Sequence, residues 1–303
     1  MKNGLVVKDN ALMNASYNLE VTEQRLMLLA IVYARETGEG ITSESRLEIC
    51  ASDYSKQFNV TKEASYKALK SAVNNLFERQ FSFQEETKKG IGTVRSRWVS
   101  RIKYIDDSAI LEITFAPDVV PLITRLEKQF TSYQLKQVSQ LTGKYAIRLY
   151  EVLIAWREIG KVPQIELSEF RRKLGIENHE YKAMNHFKSR VLESSIKQIN
   201  KHTDITVSYD QHKRGRTITG FSFEFKQKPN TKQKKQAEKV FTEKQLDMFS
   251  DKLSKLPSFQ NHYLADTGAS TEEYAQQIKV KLSEPSTVKQ WIPYLNEVGY
   301  KGI

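Results

Sequence analysis

The spacing of apolar residues changes period once between His186 and Phe225, and that change predicts a long helix running straight into a hairpin. Phe187, Val191, Leu192, Ser195, Ile196 and Ile199 recur at three- and four-residue steps, the buried stripe of a helix over 186–202. Lys188, Ser189, Arg190, Glu193 and Lys197 fall off the stripe and face outward. Ile205-Thr-Val-Ser-Tyr209 and Thr217-Ile-Thr-Gly-Phe-Ser-Phe-Glu-Phe225 then alternate with the period of two that marks strands. Between them, His212-Lys-Arg-Gly-Arg216 is a glycine turn carrying three positive charges. A helix with a basic outer face beside a hairpin tipped with Lys and Arg is how a winged helix meets DNA, with the helix in the major groove and the wing along phosphate. A solvated helix beside an ordinary charged turn has the same pattern; a second copy of the arrangement in the chain separates the two.

That copy lies upstream. Residues 1–18 show no clean period and read as a short irregular arm. Thr22 is a predicted cap for a helix from Glu23 to about Glu36, closed by Gly38 and apolar nearly all round. Leu47 to Cys50 reads as a short strand, Ser52 caps a helix over 53–58, Asn59-Val60 turns, and Thr61 caps a helix reaching Arg79. Its predicted buried positions are Leu69, Ala72, Val73, Leu76 and Phe77; its outer ones include Lys62, Ser65, Tyr66, Lys67, Lys70, Ser71 and Asn74. Phe81 to Glu85 follows as a strand, then a turn at Thr87-Lys-Lys-Gly-Ile-Gly92, a return strand over 93–105, a third strand from Ala109 to Phe115, and a short helix from Pro117.

The order then repeats. Tyr145 to Trp156 is an apolar helix, Ile165 to Leu167 a short strand, Ser168 caps a helix over 169–174, and Gly175-Ile176 turns toward the 186–202 helix. Ser52-Asp-Tyr-Ser-Lys-Gln-Phe-Asn-Val60 parallels Ser168-Glu-Phe-Arg-Arg-Lys-Leu-Gly-Ile176, and Lys88-Lys-Gly90 parallels Lys213-Arg-Gly215. Cap, turn, long helix and basic glycine hairpin in one order twice argue for an internal duplication. The fold class expected is therefore α+β, with two tandem winged-helix domains over 1–130 and 131–228. Lys- and Gln-rich residues from Lys226 to Lys239, with 229–240 as the span between domains, read as a flexible basic linker. A small helical tail over 241–303 follows, with a Thr242-x-x-Gln245 capping box, a stripe of Leu246, Phe249, Leu253 and Leu256, and a second capping box at Ser270 to Glu273.

Charge narrows the partners. Lys plus Arg is 47 against 36 Asp plus Glu, a formal +11, which suits a polyanion, whether nucleic acid or an anionic membrane surface. No apolar run has the length to span a bilayer, the first residues lack a signal-peptide core, and the single cysteine, Cys50, excludes an intrachain disulfide. Cys50 alternates with apolar neighbours and reads as a quiet, partly buried thiol. No glycine loop ends in Gly-Lys-Ser/Thr, so no P-loop is present. None of the five histidines stands two residues from another, so the His-apolar-His metal pair of a rolling-circle nicking enzyme is missing. No cofactor, metal or catalytic residue is implied.

Several separated motifs agree with one family. Glu23-Gln-Arg-Leu26, Tyr145-Ala-Ile-Arg-Leu-Tyr-Glu151, Phe187 to Leu192, Ile199-Asn200, Thr203-Asp204 and Lys213-Arg-Gly-Arg216 resemble the replication initiators of iteron-containing, theta-replicating plasmids. The resemblance covers about residues 5–228. It implies two winged helices on tandem direct repeats at an origin, the second making the main base contacts. It also implies a monomer that opens the origin and a dimer, joined through the first domain, that represses its own gene. In that family a basic run follows the recognition-helix Phe; here it is Lys188-Ser189-Arg190, with one basic position replaced. Expected partners are double-stranded DNA, a second copy in equilibrium with monomer, and a host initiator and helicase, in a cytoplasmic setting without a membrane. The DNA-contacting residues expected are Lys62, Lys67, Lys70, Lys88 and Lys89 in the first domain. In the second they are Lys182, Asn185, His186, Lys188, Ser189, Arg190, Lys197, Lys213, Arg214 and Arg216. The rivals are a winged-helix transcriptional repressor and, behind it, a nicking enzyme.

Overall fold

The computed structural model describes residues 4–124, 130–229, 241, 243–265, 270–282 and 285–300. They form two compact units, divided after Lys228.

The first unit contains one motif twice. In its first half, α2 (Val21–Thr37) precedes β3 (Leu47–Cys50), then α3 (Ala51–Phe58) and α4 (Lys62–Leu76), then the hairpin β6 (Val99–Ile105) and β7 (Ile110–Phe115). In its second half, α7 (Lys144–Ile154) precedes β9 (Lys161–Glu166), then α8 (Leu167–Lys173) and a helix over 184–202, α9, then the hairpin β10 (Ile205–Arg214) and β11 (Thr217–Gln227). Each half has a three-stranded antiparallel sheet in which the hairpin's second strand pairs with the strand ahead of the two helices, in the orders β6-β7-β3 and β10-β11-β9. That is the winged-helix topology, twice.

The predicted pairing of the two basic hairpins does not hold. Residues 93–105 are two strands, not one, broken at the buried Trp98. Residues up to Arg97 form β5 (Gly90–Arg97), which pairs with β4 (Gln80–Thr87) and through it with β2 (Ser16–Tyr17) in a separate sheet. The Lys88-Lys89-Gly90 turn therefore tips an inserted hairpin. The counterpart of the second wing is β6–β7, and its tip carries Asp106 and Asp107. Sequence likeness of two glycine turns was a local signal; strand pairing, a non-local one, assigns the wing.

The N-terminal stretch also differs from the expected irregular arm. It folds as β1 (Leu5–Asp9), α1 (Asn10–Met13) and β2, and buries Val6, Leu12, Met13, Ala15 and Tyr17. Strand β1 pairs with β8 (Phe130–Gln134), a closure across more than 120 residues that no local period announces. Between these come α5 (Val119–Thr124) and, after β8, α6 (Lys136–Ser139).

Helix boundaries shift by one to three residues where the caps were misassigned. Glu20, not Thr22, starts α2, in a reciprocal capping box with Glu23. Cys50 and Glu166 stand at the cap positions given to Ser52 and Ser168. Thr61 caps α4 as expected, accepting from the Ala64 amide. Ser65, expected on the outer face of α4, is buried, its hydroxyl donating to the Thr61 carbonyl. Cys50 is half-buried, and burial beside Asp53 and Glu48 raises its thiol pKa, which keeps it protonated and unreactive.

The second unit has its own core. Helices α10 (Glu243–Ser254), α11 (Pro257–Gln260), α12 (Thr271–Leu282) and α13 (Pro285–Glu297) bury Leu246, Phe249, Leu253, Phe259, Ile278, Trp291 and Leu295 among themselves. The Ser270–Glu273 capping box is formed in both directions: the Ser270 amide donates to Glu273 Oε2 at 2.8 Å and the Glu273 amide to Ser270 Oγ at 3.2 Å. The Thr242 cap and linker residues 230–240 lie outside the described residues; Lys226 and Gln227, assigned to the linker, continue β11.

Candidate nucleic-acid interface

The second helix-turn-helix is built to hold α9 still while leaving one face bare. Phe187, Val191, Leu192, Ser195 and Ile199 are buried, as their spacing predicts. The middle of the helix, Phe187–Glu193, winds as a π-helix between α-helical ends Met184–His186 and Ser194–His202. A wider turn of this kind is rare and concentrates at functional sites. Here it seats Phe187, Val191 and Leu192 against the core while Ser189 and Arg190 are exposed and Lys188 is half-buried.

Helix and wing are tied together at the wing's base. Asn200 makes a two-way bond to β10, its Nδ2 donating to the Val207 carbonyl at 2.9 Å and its Oδ1 accepting from the Val207 amide at 2.7 Å. Tyr209 Oη donates to Glu193 at 3.2 Å, and burial together with that carboxylate raises the phenol's pKa, so it stays a donor. Lys188 Nζ donates to Gln211 Oε1 at 3.1 Å and stands 5.9 Å from the centre of the Tyr209 ring. Lys188 thus braces helix to wing as well as fronting the solvent. Lys228 Nζ caps the helix C-terminus, donating to the carbonyls of Asn200 and Thr203. Beyond this base the ladder shifts register between His212 and Lys213, and Gly215, at φ +62°, closes the tip.

The outer surface is a row of cations. Lys182, His186, Arg190, Lys197, Lys213, Arg214 and Arg216 are all exposed. Among the described residues, none of Lys182, Arg190, Lys197, Lys213, Arg214 and Arg216 pairs with a carboxylate. Asn185 is exposed, its carbonyl accepting from Ser189 Oγ at 2.9 Å and its side chain from the His186 amide. Unpaired cations on one rigid helix-and-wing surface are what a phosphate backbone requires.

The first half is less uniform. Lys62 and Lys67 are exposed on α4 with no carboxylate partner among the described residues. Lys70 is occupied by Asp106 of the β6–β7 tip at 2.8 Å. Lys88 and Lys89 are exposed, but on the inserted hairpin rather than on the wing.

Sequence reasoning passed over the residues that brace this surface. Arg171 of α8 donates to the carbonyls of Glu177, Glu180 and Tyr181, fixing the loop that leads into α9, and its guanidinium stands 5.5 Å from the Phe187 ring centre. Asn200 stood inside a motif but without a role. Asp204 accepts from Tyr150 Oη at 2.8 Å and from Arg157 at 3.3 Å. A polar residue at the end of an amphipathic helix, followed at once by a strand, was the available signal.

Two helix-turn-helix units, each backed by a hairpin-containing sheet, define a winged-helix DNA-binding protein. A family model described as "Initiator Replication protein, WH1" matches residues 5–154, and one described as "Initiator Rep protein, WH2" matches residues 166–225. Together they cover well over half of the chain, which therefore belongs to the family of initiator replication proteins. Its fold is similar to that of the Pi initiator protein, solved in complex with iteron DNA, at TM-score 0.62 and 20% identity over 76% of this chain and 100% of that one. It is 25% identical over 232 residues to an uncharacterized 27.6 kDa protein of Escherichia coli, covering 74% of this chain and 95% of that protein. The WH1 domain of MSBI1.176, a replication protein isolated from a multiple sclerosis patient, is 61% identical over 42% of this chain and 97% of the domain. Its TM-score of 0.35 leaves its geometry without bearing on this one.

Proposed function

We propose that this protein starts replication of a plasmid-type DNA by binding tandem direct repeats at its origin as a sequence-specific, non-catalytic double-stranded DNA binder. In this reading α9 enters the major groove, with Asn185, His186, Ser189 and Arg190 facing base edges, while Lys182, Lys197, Lys213, Arg214 and Arg216 take phosphates. Residues 131–228 carry the main reading; residues 1–130 add contacts through Lys62 and Lys67 and join two copies. Occupied repeats strain adjacent A·T-rich duplex, whose flexible steps deform at least cost, and a host initiator and helicase are recruited there. The dimer, in equilibrium with monomer, represses its own gene. The protein works in the cytoplasm, on its plasmid. The observation that carries the reading is the exposed row of cations without carboxylate partners on a braced helix and wing, in a chain of the initiator family.

The test is a footprint on the DNA flanking the gene. Protection in evenly spaced direct repeats is expected. Arg190→Ala should weaken repeat binding by about 1–3 kcal/mol and relax preference at the base pairs it faces. Protection of a single inverted repeat would make the protein a dedicated repressor instead, and strand cleavage of supercoiled origin DNA with a divalent metal would make it an enzyme.

A further inference from the structure

A buried polar cluster joins the two halves of the first unit at a point where neither meets solvent. Arg148 and Glu151 interrupt the otherwise apolar α7, and both are buried, as is Lys8 of β1. Glu151 accepts from Lys8 Nζ and Tyr133 Oη at 2.6 Å, from Tyr17 Oη at 2.8 Å and from Arg148 Nη1 at 2.5 Å. Arg148 Nη1 also donates to Tyr17 Oη at 2.7 Å, and the other donors of the guanidinium go to backbone. Nη2 reaches the carbonyls of Met13 at 3.2 Å and Ala15 at 2.9 Å, in the N-terminal segment. Nε and Nη2 reach the carbonyl of Lys173, the last residue of α8, at 3.2 and 3.0 Å. One guanidinium therefore holds the first half's N-terminal segment against the end of α8, the first helix of the second helix-turn-helix.

The turn after α8 rests on the same segment. Gly175 has φ +69°, and a methyl group added there would overlap the Tyr17 carbonyl. Glycine is needed for the conformation and for the contact. On the other side of α7, Gln24 Nε2 donates to the Lys144 carbonyl at 3.1 Å, and Arg25 Nη2 to the carbonyls of Ser139 at 2.9 Å and Leu141 at 3.1 Å. Two motifs far apart in the chain, Glu23-Gln-Arg-Leu26 and Tyr145 to Glu151, thus converge on one joint and supply none of the exposed cations.

We propose that the Arg148–Glu151–Tyr17 joint is a positioning device that fixes the angle between the two winged helices, and so sets the spacing demanded between the two parts of each DNA repeat. Multiply bonded, buried and directional contacts admit one geometry, whereas an apolar interface of the same area tolerates sliding. A rigid link raises the effective concentration of the second half over its site only when the spacing matches. The inference rests on the DNA-repeat reading above and adds a residue-level cause for its spacing.

The experiment uses the full chain and duplexes carrying the repeat, intact or with one base pair inserted at its centre, which moves one part by about 3.4 Å and turns it by about 35°. The unaltered protein should lose at least about tenfold in affinity on insertion. Arg148→Lys keeps a positive charge but cannot reach all five acceptors; Tyr17→Phe, a milder change, removes one hydroxyl from the cluster. Either variant should bind the intact repeat more weakly yet lose less than about threefold on insertion. Ile49→Val, in the first sheet away from the joint, should keep the tenfold discrimination. If Arg148→Lys fails to unfold cooperatively on heating, Tyr17→Phe decides. Unchanged discrimination in the folded variant overturns the inference, as does an insertion that costs the unaltered protein nothing. Absence of any repeat binding by the unaltered protein overturns the functional reading itself.

Discussion

Glu151 has no contact with water and four hydrogen-bond donors around it. Burial alone would raise its pKa; the charges of Lys8 and Arg148, with the bonds they make, outweigh that and hold the carboxyl at about 2. Burial also lowers the pKa of Lys8, against the pull of Glu151. The folded pKa of Glu151 lies below the unfolded value of about 4.3, so its stabilisation is complete above that pH and is lost as pH falls toward about 2. Glu151→Gln leaves two buried cations without a counter-charge and should cost about 3–5 kcal/mol at pH 7, read by urea unfolding. The variant should also lose less stability than the unaltered protein as pH falls between about 4.3 and 2. A cost under about 1 kcal/mol would contradict the ionised cluster. At this scale the sequence was half legible. Arg148 and Glu151 stand in the sequence inside an otherwise apolar helix, but their partners lie up to 143 positions away in the chain. Ser65 was misread for a local reason: a small hydroxyl on a helix can return its bond to the preceding turn and be buried without a partner on another element.

Elements were read well wherever a single period ran for several turns. The stripe of α9 apart from the half-buried Ile196, the alternation of β10 and β11, and the Leu246, Phe249 and Leu253 stripe of α10 stand where spacing put them. What failed was the matching of elements to one another. Lys88-Lys-Gly90 and Lys213-Arg-Gly215 look alike because both are tight turns between strands, and turn chemistry is blind to which sheet the strands join. The wing assignment has a measurable consequence. Lys213→Ala with Arg214→Ala should weaken binding to all DNA sequences alike and reduce the slope of log affinity against log salt by about 1.8. Lys88→Ala with Lys89→Ala, on the inserted hairpin, should change that slope by less than half as much. Equal slopes for the two pairs, measured by salt titration on one duplex, would restore the inserted hairpin as a DNA-contacting wing.

The whole molecule divides into two compact units after Lys228, and the second unit carries a core of its own. A chain ending at Lys228 keeps both winged helices with their cores and the α9 surface. It should bind an intact repeat within about threefold of the full protein, a difference near RT. A larger loss in an otherwise cooperative unfolder would show that the C-terminal helices take part in binding. No helix among the described residues is long and apolar enough to cross a membrane.

Periodicity and turn residues were enough to place two helix-turn-helix units in the chain, and charge to mark the basic residues on the second. These are near-neighbour properties, fixed by steric preference and burial within a turn or a hairpin. Only tertiary structure decided that residues 5–17 close onto β8, Glu151 and the end of α8, and which hairpin is the first wing. Those choices depend on energies between segments more than a hundred residues apart, where loop closure costs little more for one partner than for another and only the fit of whole surfaces selects between them.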